Sequence, residues 1–167
     1  GTIVLILLFT TIFATISIID DRNAGFLQSV LVAPVSRTSI VGGKIVGTTI
    51  LSVAQAALVL AFAPFAGISL GPIEVAGTLL MMIVVAVALS GLGFAIAWRM
   101  DSTQGFHAIM MSFLMPMWFL SGAFFPASGL PLWLRMLVTV NPLTYGLAAV
   151  RRVLYWREPA LVGDVPA

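Results

Sequence analysis

The residues of this chain that could do chemistry are concentrated in one polar stretch, residues 20–44. It carries Asp20, Asp21 and Lys44 together with two arginines, and apolar residues are interspersed among these charges. The stretch lies between two segments apolar enough to cross a membrane, where a simple helix reversal needs only about 2–5 residues. We therefore predict that residues 20–44 form a docking element for a partner protein rather than a plain turn.

The sequence contains no recognisable catalytic constellation. It has no Walker A motif, so it lacks the P-loop that would hold ATP. It has no Cys, which excludes disulfides and thiolate metal sites. The single His107 lies just inside a predicted membrane span, where helix packing is favoured over a role as ligand or proton relay. We predict that the chain is not an enzyme and binds no metal or cofactor itself.

The composition indicates a membrane protein. Hydrophobic residues make up 60% of the chain and charged residues 8%, against about 25% charged residues in soluble domains. The net charge is +2, and no basic stripe with interleaved aromatic residues is present, which argues against nucleic-acid binding. The apolar runs lack the alternation of barrel strands. We therefore predict an all-α fold, a polytopic transmembrane helix bundle.

Four apolar segments approach the roughly 20 residues that a transmembrane helix needs. They lie at about residues 1–19, 40–62, 75–98 and 105–124. Residues 20–39 form the loop between the first two segments. We interpret residues 1–167 as a single transmembrane domain, and we expect the natural protein to extend beyond it because neither end has a terminating feature.

The segment from about residue 129 to residue 156 behaves differently, because it is broken at Asn141-Pro142. Its apolar pieces, residues 130–138 and 143–150, are each about nine residues, which rise only about 14 Å as helices. Neither piece can cross a bilayer, so we predict an external re-entrant helical hairpin. Aromatic residues suited to the headgroup level are Trp133, Tyr145, Tyr155 and Trp156.

The distribution of Lys and Arg predicts the orientation. The loop after the first span contains Arg22, Arg37 and Lys44, the loop after the second span contains none, and the loop after the third contains Arg99. The positive-inside rule then places the first and third loops in the cytoplasm. Four arginines of the tail oppose this orientation: Arg135, Arg151, Arg152 and Arg157.

The first loop has the pattern of a short amphipathic helix. Its apolar residues fall on one helical face: Phe26, Leu27, Val30 and Leu31. We predict that Asp20 and Asp21 favour its N-terminus, that Pro34 ends it, and that Ser36 begins a new cap before the second span. The periodicity alone leaves open a simple interfacial helix that only anchors the loop.

Two sequence blocks resemble a known family. The first is Asp21-Arg22-x-x-Gly25-Phe26-Leu27 … Leu31-x-x-Pro34-x-Ser36-Arg37 … Gly43-Lys44. The second is Phe119-Leu120-Ser121-Gly122-Ala123-Phe124-Phe125-Pro126 … Leu130-Pro131-x-Trp133-Leu134 … Asn141-Pro142-Leu143-Thr144-Tyr145 … Arg151. Their order and separation are similar to those of type-2 ABC transporter permeases, the family of daunorubicin-resistance-like and polysaccharide exporters. In this comparison the chain lacks the family's first and last spans.

The resemblance implies an export permease of the plasma (inner) membrane that carries a drug, lipid or glycan. It implies a separate ATPase subunit, which would bind ATP and Mg²⁺, and a second permease copy in a homodimer or heterodimer. The residues implied in ATPase coupling are Asp21, Arg22, Gly25, Phe26, Leu27, Leu31, Pro34, Arg37 and Lys44. The residues implied in the pathway or its external gate are Ser121, Gly122, Phe124, Phe125, Pro126, Asn141, Pro142 and Tyr145.

The resemblance further implies that Arg22 and Arg37 pair with an acidic partner surface or lipid phosphate. For Arg37 and Lys44, plain anchoring at the cytoplasmic surface is an equal alternative. The helix breaks at Ser121-Gly122 and Asn141-Pro142 either gate an exit or only bend the backbone. The methionines at 110, 111, 115 and 117 could face substrate, although ordinary packing is favoured.

The alternative function is an ion-coupled secondary carrier or a pore that works without an ATPase. A proton-driven carrier usually needs ionisable groups at membrane depth. The predicted spans contain essentially none, apart from Lys44 and His107 near their ends. This composition favours the ATP-driven permease.

Overall fold

The computed structural model describes residues 1–25, 36–68, 70–123 and 131–156. The regular elements in these ranges are all helical, so the all-α prediction is confirmed. The α-helices are α1 (Thr2–Asn23), α2 (Arg37–Ala61), α3 (Pro72–Ala97), α4 (Thr103–Trp118), α5 (Leu132–Val140) and α6 (Pro142–Leu154). A 3₁₀-helix, Ala63–Ala66, follows α2, and a π-helix, Phe119–Ala123, follows α4.

Three of the described helices are long and apolar enough to cross a membrane. They are α1, α3 and the segment Thr38–Phe65, which comprises α2 and the turn after it. Ser36 caps α2 as predicted, because its side chain accepts a hydrogen bond from the Ser39 amide at 3.2 Å. The cap satisfies one of the amides that a helix N-terminus leaves without a partner.

α1 continues through Asn23, beyond the predicted end of the first span. Asp20 and Asp21 therefore lie in the last turn of α1, and the prediction that they begin a new helix is wrong. The sequence becomes polar after residue 19, but α1 continues because its backbone hydrogen bonds do not require apolar side chains. The helix ends at Asn23, and Gly25 follows two residues later with a φ of 74°. This left-handed conformation suits glycine and is a common way to terminate a helix.

The core lies mainly between α1 and α3. The buried residues of α1 recur at helical spacing: Val4, Leu7, Leu8, Thr11, Ile12, Thr15, Ile18 and Ile19. On α3, Gly93 lies against this face. A Cβ atom at Gly93 would lie 3.0 Å from Oγ1 of Thr15. The missing side chain therefore lets the two helices approach closely.

The predicted span at 105–124 is not a continuous α-helix. α4 is α-helical for 16 residues, and the π-helix then extends it for five more. Pro116 lies inside α4, and its ring nitrogen has no hydrogen to donate to the preceding turn. Disturbed hydrogen bonding of this kind accompanies kinks and π-bulges. The apolar composition of the segment could not reveal the change of helix type.

α5 and α6 are separated at Asn141, as the sequence predicts. α6 runs antiparallel to α3 and packs along it. A Cβ atom at Gly146 would lie 3.3 Å from Cγ2 of Val85, near the middle of α3, and one at Gly77 would lie 2.5 Å from Cγ1 of Val153. α6 therefore starts at mid-height of the bundle and ends near the start of α3.

Candidate functional site

The candidate site begins with a pair of charges that joins α1 to α2. Nζ of Lys44 lies 2.5 Å from Oδ2 of Asp21, and it also donates to Oγ of Ser17 at 3.3 Å. Both charged side chains are about one-third exposed, at 35% and 28%. The lysine compensates a carboxylate that lies unfavourably at a helix C-terminus. α1 and α2, which flank the loop of residues 24–36, are therefore joined near the loop.

A second set of contacts joins α1 to the turn between α3 and α4. The Arg22 guanidinium donates to the carbonyl oxygen of Trp98 at 2.9 Å, to that of Met100, and to Oδ1 of Asp101 at 2.7 Å. Asn23 adds a bond from Nδ2 to the Asp101 carbonyl at 3.2 Å. We call Asp21, Arg22, Lys44 and Asp101 the loop-end cluster. It brings the ends of four helices together on one side of the bundle.

The loop-end cluster contains three of the predicted coupling residues, Asp21, Arg22 and Lys44. Arg22 was expected to face a partner or lipid phosphate, but its guanidinium is engaged within the chain. Gly25 follows the end of α1, and Arg37 begins α2. The remaining coupling residues lie outside the described ranges: Phe26, Leu27, Leu31 and Pro34.

The predicted gate residues Ser121 and Asn141 converge on adjacent carbonyls where α4 becomes the π-helix. Oγ of Ser121 donates to the Trp118 carbonyl at 2.6 Å, and Nδ2 of Asn141 donates to the Met117 carbonyl at 2.6 Å. Oδ1 of Asn141 also accepts from the Leu143 amide at 3.0 Å, which caps α6. One buried amide side chain therefore starts α6 and fastens it to the end of α4.

The other gate residues are less closely associated. Pro142 occupies the first position of α6, where its missing amide hydrogen costs nothing. The Tyr145 hydroxyl donates to the Thr139 carbonyl at 2.7 Å, across the α5–α6 junction. Gly122 belongs to the π-helix. Phe124, Phe125 and Pro126 lie outside the described ranges.

We expect replacement of Asn141 by Leu to destabilise the full-length protein. The variant loses a helix cap worth about 1 kcal/mol and the hydrogen bond to the part-buried Met117 carbonyl, which contributes about 1 kcal/mol more. Asn141→Ser is the matched variant, because it can still cap α6 but is too short to reach α4. Thermal unfolding in detergent should rank wild type above Asn141→Ser and Asn141→Leu lowest. An unfolding temperature of Asn141→Leu equal to wild type would contradict the double role of Asn141.

An apolar groove lies between α1 and α4. Its walls include Phe9 and Phe13 on α1 and His107, Met111 and Met115 on α4. The rings of Phe13 and His107 lie 5.3 Å apart between centroids. His107 is therefore in the aromatic packing contact that the sequence favoured, and it also borders the groove. The two methionines supply adaptable apolar surface there.

Sequence reasoning missed the buried carboxyl group of Glu74. α3 starts at Pro72 rather than at residue 75, so Glu74 lies in its first turn, and it is only 3% exposed. A carboxylate at a helix N-terminus is favoured by the helix dipole. In the part of the chain that the structure describes, Glu74 is the single buried ionisable side chain. Its position at a helix end rather than at mid-span does not favour a proton-driven carrier.

Comparisons with known proteins place the chain in a family. The sequence profile of the ABC-2 type transporter family matches residues 1–155. The chain is 30% identical over 165 residues to the probable multidrug ABC transporter permease YbhR of Escherichia coli (strain K12), which covers 94% of this chain and 44% of that protein. It is 31% identical over 137 residues to the putative transport permease ycf38 of Porphyra purpurea, with 80% and 46% covered.

A further relative is the putative transport permease ycf38 of Cyanophora paradoxa, 28% identical over 152 residues, with 87% of this chain and 52% of that protein covered. No solved structure matches the chain significantly. The chain spans about half the length of the curated relatives it matches. Its apolar helices and its match to the family over nearly the whole sequence agree: the chain belongs to the ABC-2 type transporter family and is part of a multi-pass membrane protein.

Proposed function

We propose that this chain forms part of the translocation pathway of an ATP-driven exporter in the plasma (inner) membrane. A separate ATPase subunit binds ATP and Mg²⁺ and acts on the loop between α1 and α2, residues 24–36, which contains the predicted amphipathic coupling helix. The chain itself supplies no nucleotide site, because its sequence has no Walker A motif. The coupling role of the loop rests on the resemblance of its residues to the family pattern.

The loop-end cluster is the observation that carries this proposal. A loop that only connected two spans would need no charged contacts at both ends. Here Asp21 and Lys44 join the helices that flank the loop, and Arg22 joins the same region to the α3–α4 turn. A ligand changes a conformational equilibrium only through contacts that differ between states. Because these contacts connect the helices next to the loop, a displacement of the loop by a partner would be transmitted to the helices.

The pathway that we propose includes the groove between α1 and α4. Its aromatic and methionine side chains suit a hydrophobic or amphipathic cargo, such as a drug or lipid. A second permease copy, identical or related, would complete the pathway. Large apolar side chains of α2 are more than half exposed, which suits contact with lipid or with that copy: Val46 at 57%, Ile50 at 65% and Leu58 at 65%.

We further propose that α5 and α6 form a re-entrant hairpin on the external side. α5 has nine residues and α6 has 13, so they are about 14 Å and 20 Å long. Both fall short of the roughly 30 Å hydrocarbon layer. The start of α6 at mid-height of α3 supports a hairpin that enters the membrane and returns.

The orientation can be tested by cysteine labelling, because residues 1–167 contain no Cys, and any Cys elsewhere in the full-length permease is first replaced by Ser. Phe65 and Asp101 lie in turns at opposite ends of the bundle, and their side chains are 88% and 98% exposed. In the full-length permease in intact cells, an impermeant maleimide should label Phe65→Cys. It should label Asp101→Cys only after the membrane is permeabilised. The reverse pattern would place the loop between α1 and α2 outside and contradict the proposed ATPase docking.

A further inference from the structure

The Arg22 side chain connects two parts of the sequence that are far apart. Its guanidinium lies at the end of α1, and its acceptors belong to the α3–α4 turn, at Trp98, Met100 and Asp101. The α3–α4 turn is short, because α3 ends at Ala97 and α4 begins at Thr103. A single side chain therefore holds most of this turn.

The two carbonyl contacts of Arg22 differ in character from its ion pair. Carbonyls at the end of a helix lack intrahelical partners, and a guanidinium offers several donors in a rigid planar fork. The Asp101 side chain is 98% exposed, so water and salt screen its attraction to Arg22. The side chain of Arg22 is only 28% exposed. The carbonyls of Trp98 and Met100, rather than the carboxylate, therefore carry the connection.

The connection leads directly to α4. Ser102 follows Asp101 and caps α4, because its Oγ accepts from the Gly105 amide at 3.2 Å. Asn23 also donates to the Asp101 carbonyl, immediately before this cap. α4 then supplies one wall of the apolar groove, and α1 supplies the other. Both walls are thus attached to the same point at the end of α1.

We propose that Arg22 is a positioning residue that makes the end of α1 and the start of α4 move as one unit. This inference rests on the proposed function, in which the ATPase displaces the loop between α1 and α2, residues 24–36. The displacement reaches α1 directly, because the loop continues α1. It reaches α4 through the bonds from Arg22 to the α3–α4 turn. Without these bonds, α4 follows α1 only through the Asn23 bond and the packing between the two helices.

The test uses spin labels in the full-length permease assembled with its ATPase partner. One pair, Ala24→Cys and Gln104→Cys, measures the distance between the end of α1 and the start of α4. A second pair, Phe65→Cys and Gln104→Cys, measures the movement of α4 relative to the opposite end of the bundle. All three positions are exposed. Distances are compared without nucleotide and after trapping with ATP and vanadate.

In the otherwise unchanged protein, trapping should leave the 24–104 distance constant and shift the 65–104 distance. Arg22→Gln should reduce the 65–104 shift and lengthen the 24–104 distance on trapping, while the complex still turns over ATP. Arg22→Lys, which keeps the charge but cannot fork between two carbonyls, should retain only part of the shift. Monodisperse elution of each complex establishes that a variant is folded.

Two controls distinguish the effect of the Arg22–carbonyl hydrogen bonds from the effect of charge in the α3–α4 turn. Arg99→Gln removes an exposed arginine from the same turn and should leave both distances unchanged. Asp101→Ala should preserve the 65–104 shift, because the carbonyl contacts remain. A full shift in Arg22→Gln, or loss of the shift in Asp101→Ala equal to that in Arg22→Gln, would overturn the inference alone. Absence of any shift in the protein with native Arg22 would contradict the proposed ATP coupling itself.

Discussion

Replacing Phe26 by Asp should reduce ATP-driven transport by more than about tenfold while the full-length permease still inserts into the membrane. Phe26 lies on the predicted apolar face of the coupling loop, outside the described residues. Removal of a buried aromatic anchor from an interface costs about 2 kcal/mol or more, and about 1.4 kcal/mol already corresponds to a tenfold effect. A carboxylate at the same place adds a desolvation penalty.

The measurement is export of an amphipathic dye from cells together with ATP turnover by the purified complex. Phe65→Asp is the matched control, because it makes the same chemical change in an 88% exposed side chain at the opposite end of the bundle. The control should transport within about twofold of wild type, because Phe65 lies at the end of its apolar segment, where a charged side chain can reach the membrane surface. Wild-type export by Phe26→Asp would rule out the docking role of this face.

Replacing Gly93 by Leu should strongly destabilise the contact between α1 and α3 in the helix core. A Cβ atom at this position would already lie 3.0 Å from Oγ1 and 3.4 Å from Cγ2 of Thr15. A leucine must push α1 and α3 apart, and overpacking of this kind costs about 1–3 kcal/mol or more. The expected result is a lower unfolding temperature of the full-length permease in detergent.

Gly91 provides the matched control on the same helix. A Cβ atom at Gly91 would meet no atom within 4 Å, so Gly91→Leu should unfold at or above the wild-type temperature. A double-mutant cycle sharpens the assignment, because Thr15→Ala removes the two nearest of the three Thr15 atoms that a Cβ at Gly93 would contact. Gly93→Ala should therefore cost less in the Thr15→Ala background. Equal costs in both backgrounds would show that the α1–α3 contact at Gly93 does not limit stability.

The sequence predicted the helical class because long apolar runs permit few other structures in lipid. It also predicted the cap at Ser36 and the break at Asn141, both of which are local signals. The helix boundaries were less predictable. α1 runs past Ile19 into charged residues, because Asp21 gains compensation from Lys44 in the neighbouring helix. The pairing of Asp21 with Lys44 joins two helices, so no local sequence pattern could predict it.

The contacts that define the candidate site are long-range, and one sequence does not reveal them. Arg22 and Asp101 are 79 residues apart, and Asn141 is 24 residues from its acceptor Met117. Such pairs form only when separate helices pack against each other. The residue types alone identify Arg22 as a charge and Asn141 as a helix break, but they do not identify the residues that these two side chains contact. Burial of Glu74 escaped prediction for a related reason, because it depends on where α3 starts and what covers its first turn.

The most direct test of the account is site-specific cross-linking from the loop to the ATPase. A photoreactive amino acid at Gln28 of the full-length permease, assembled with its ATPase partner in native membranes, should give a cross-linked product that contains the ATPase subunit. The same group at Phe65 should give none. A Gln28 product without the ATPase, or labelling of Gln28→Cys by an impermeant reagent outside intact cells, would contradict the claim that this loop receives the ATPase's motion.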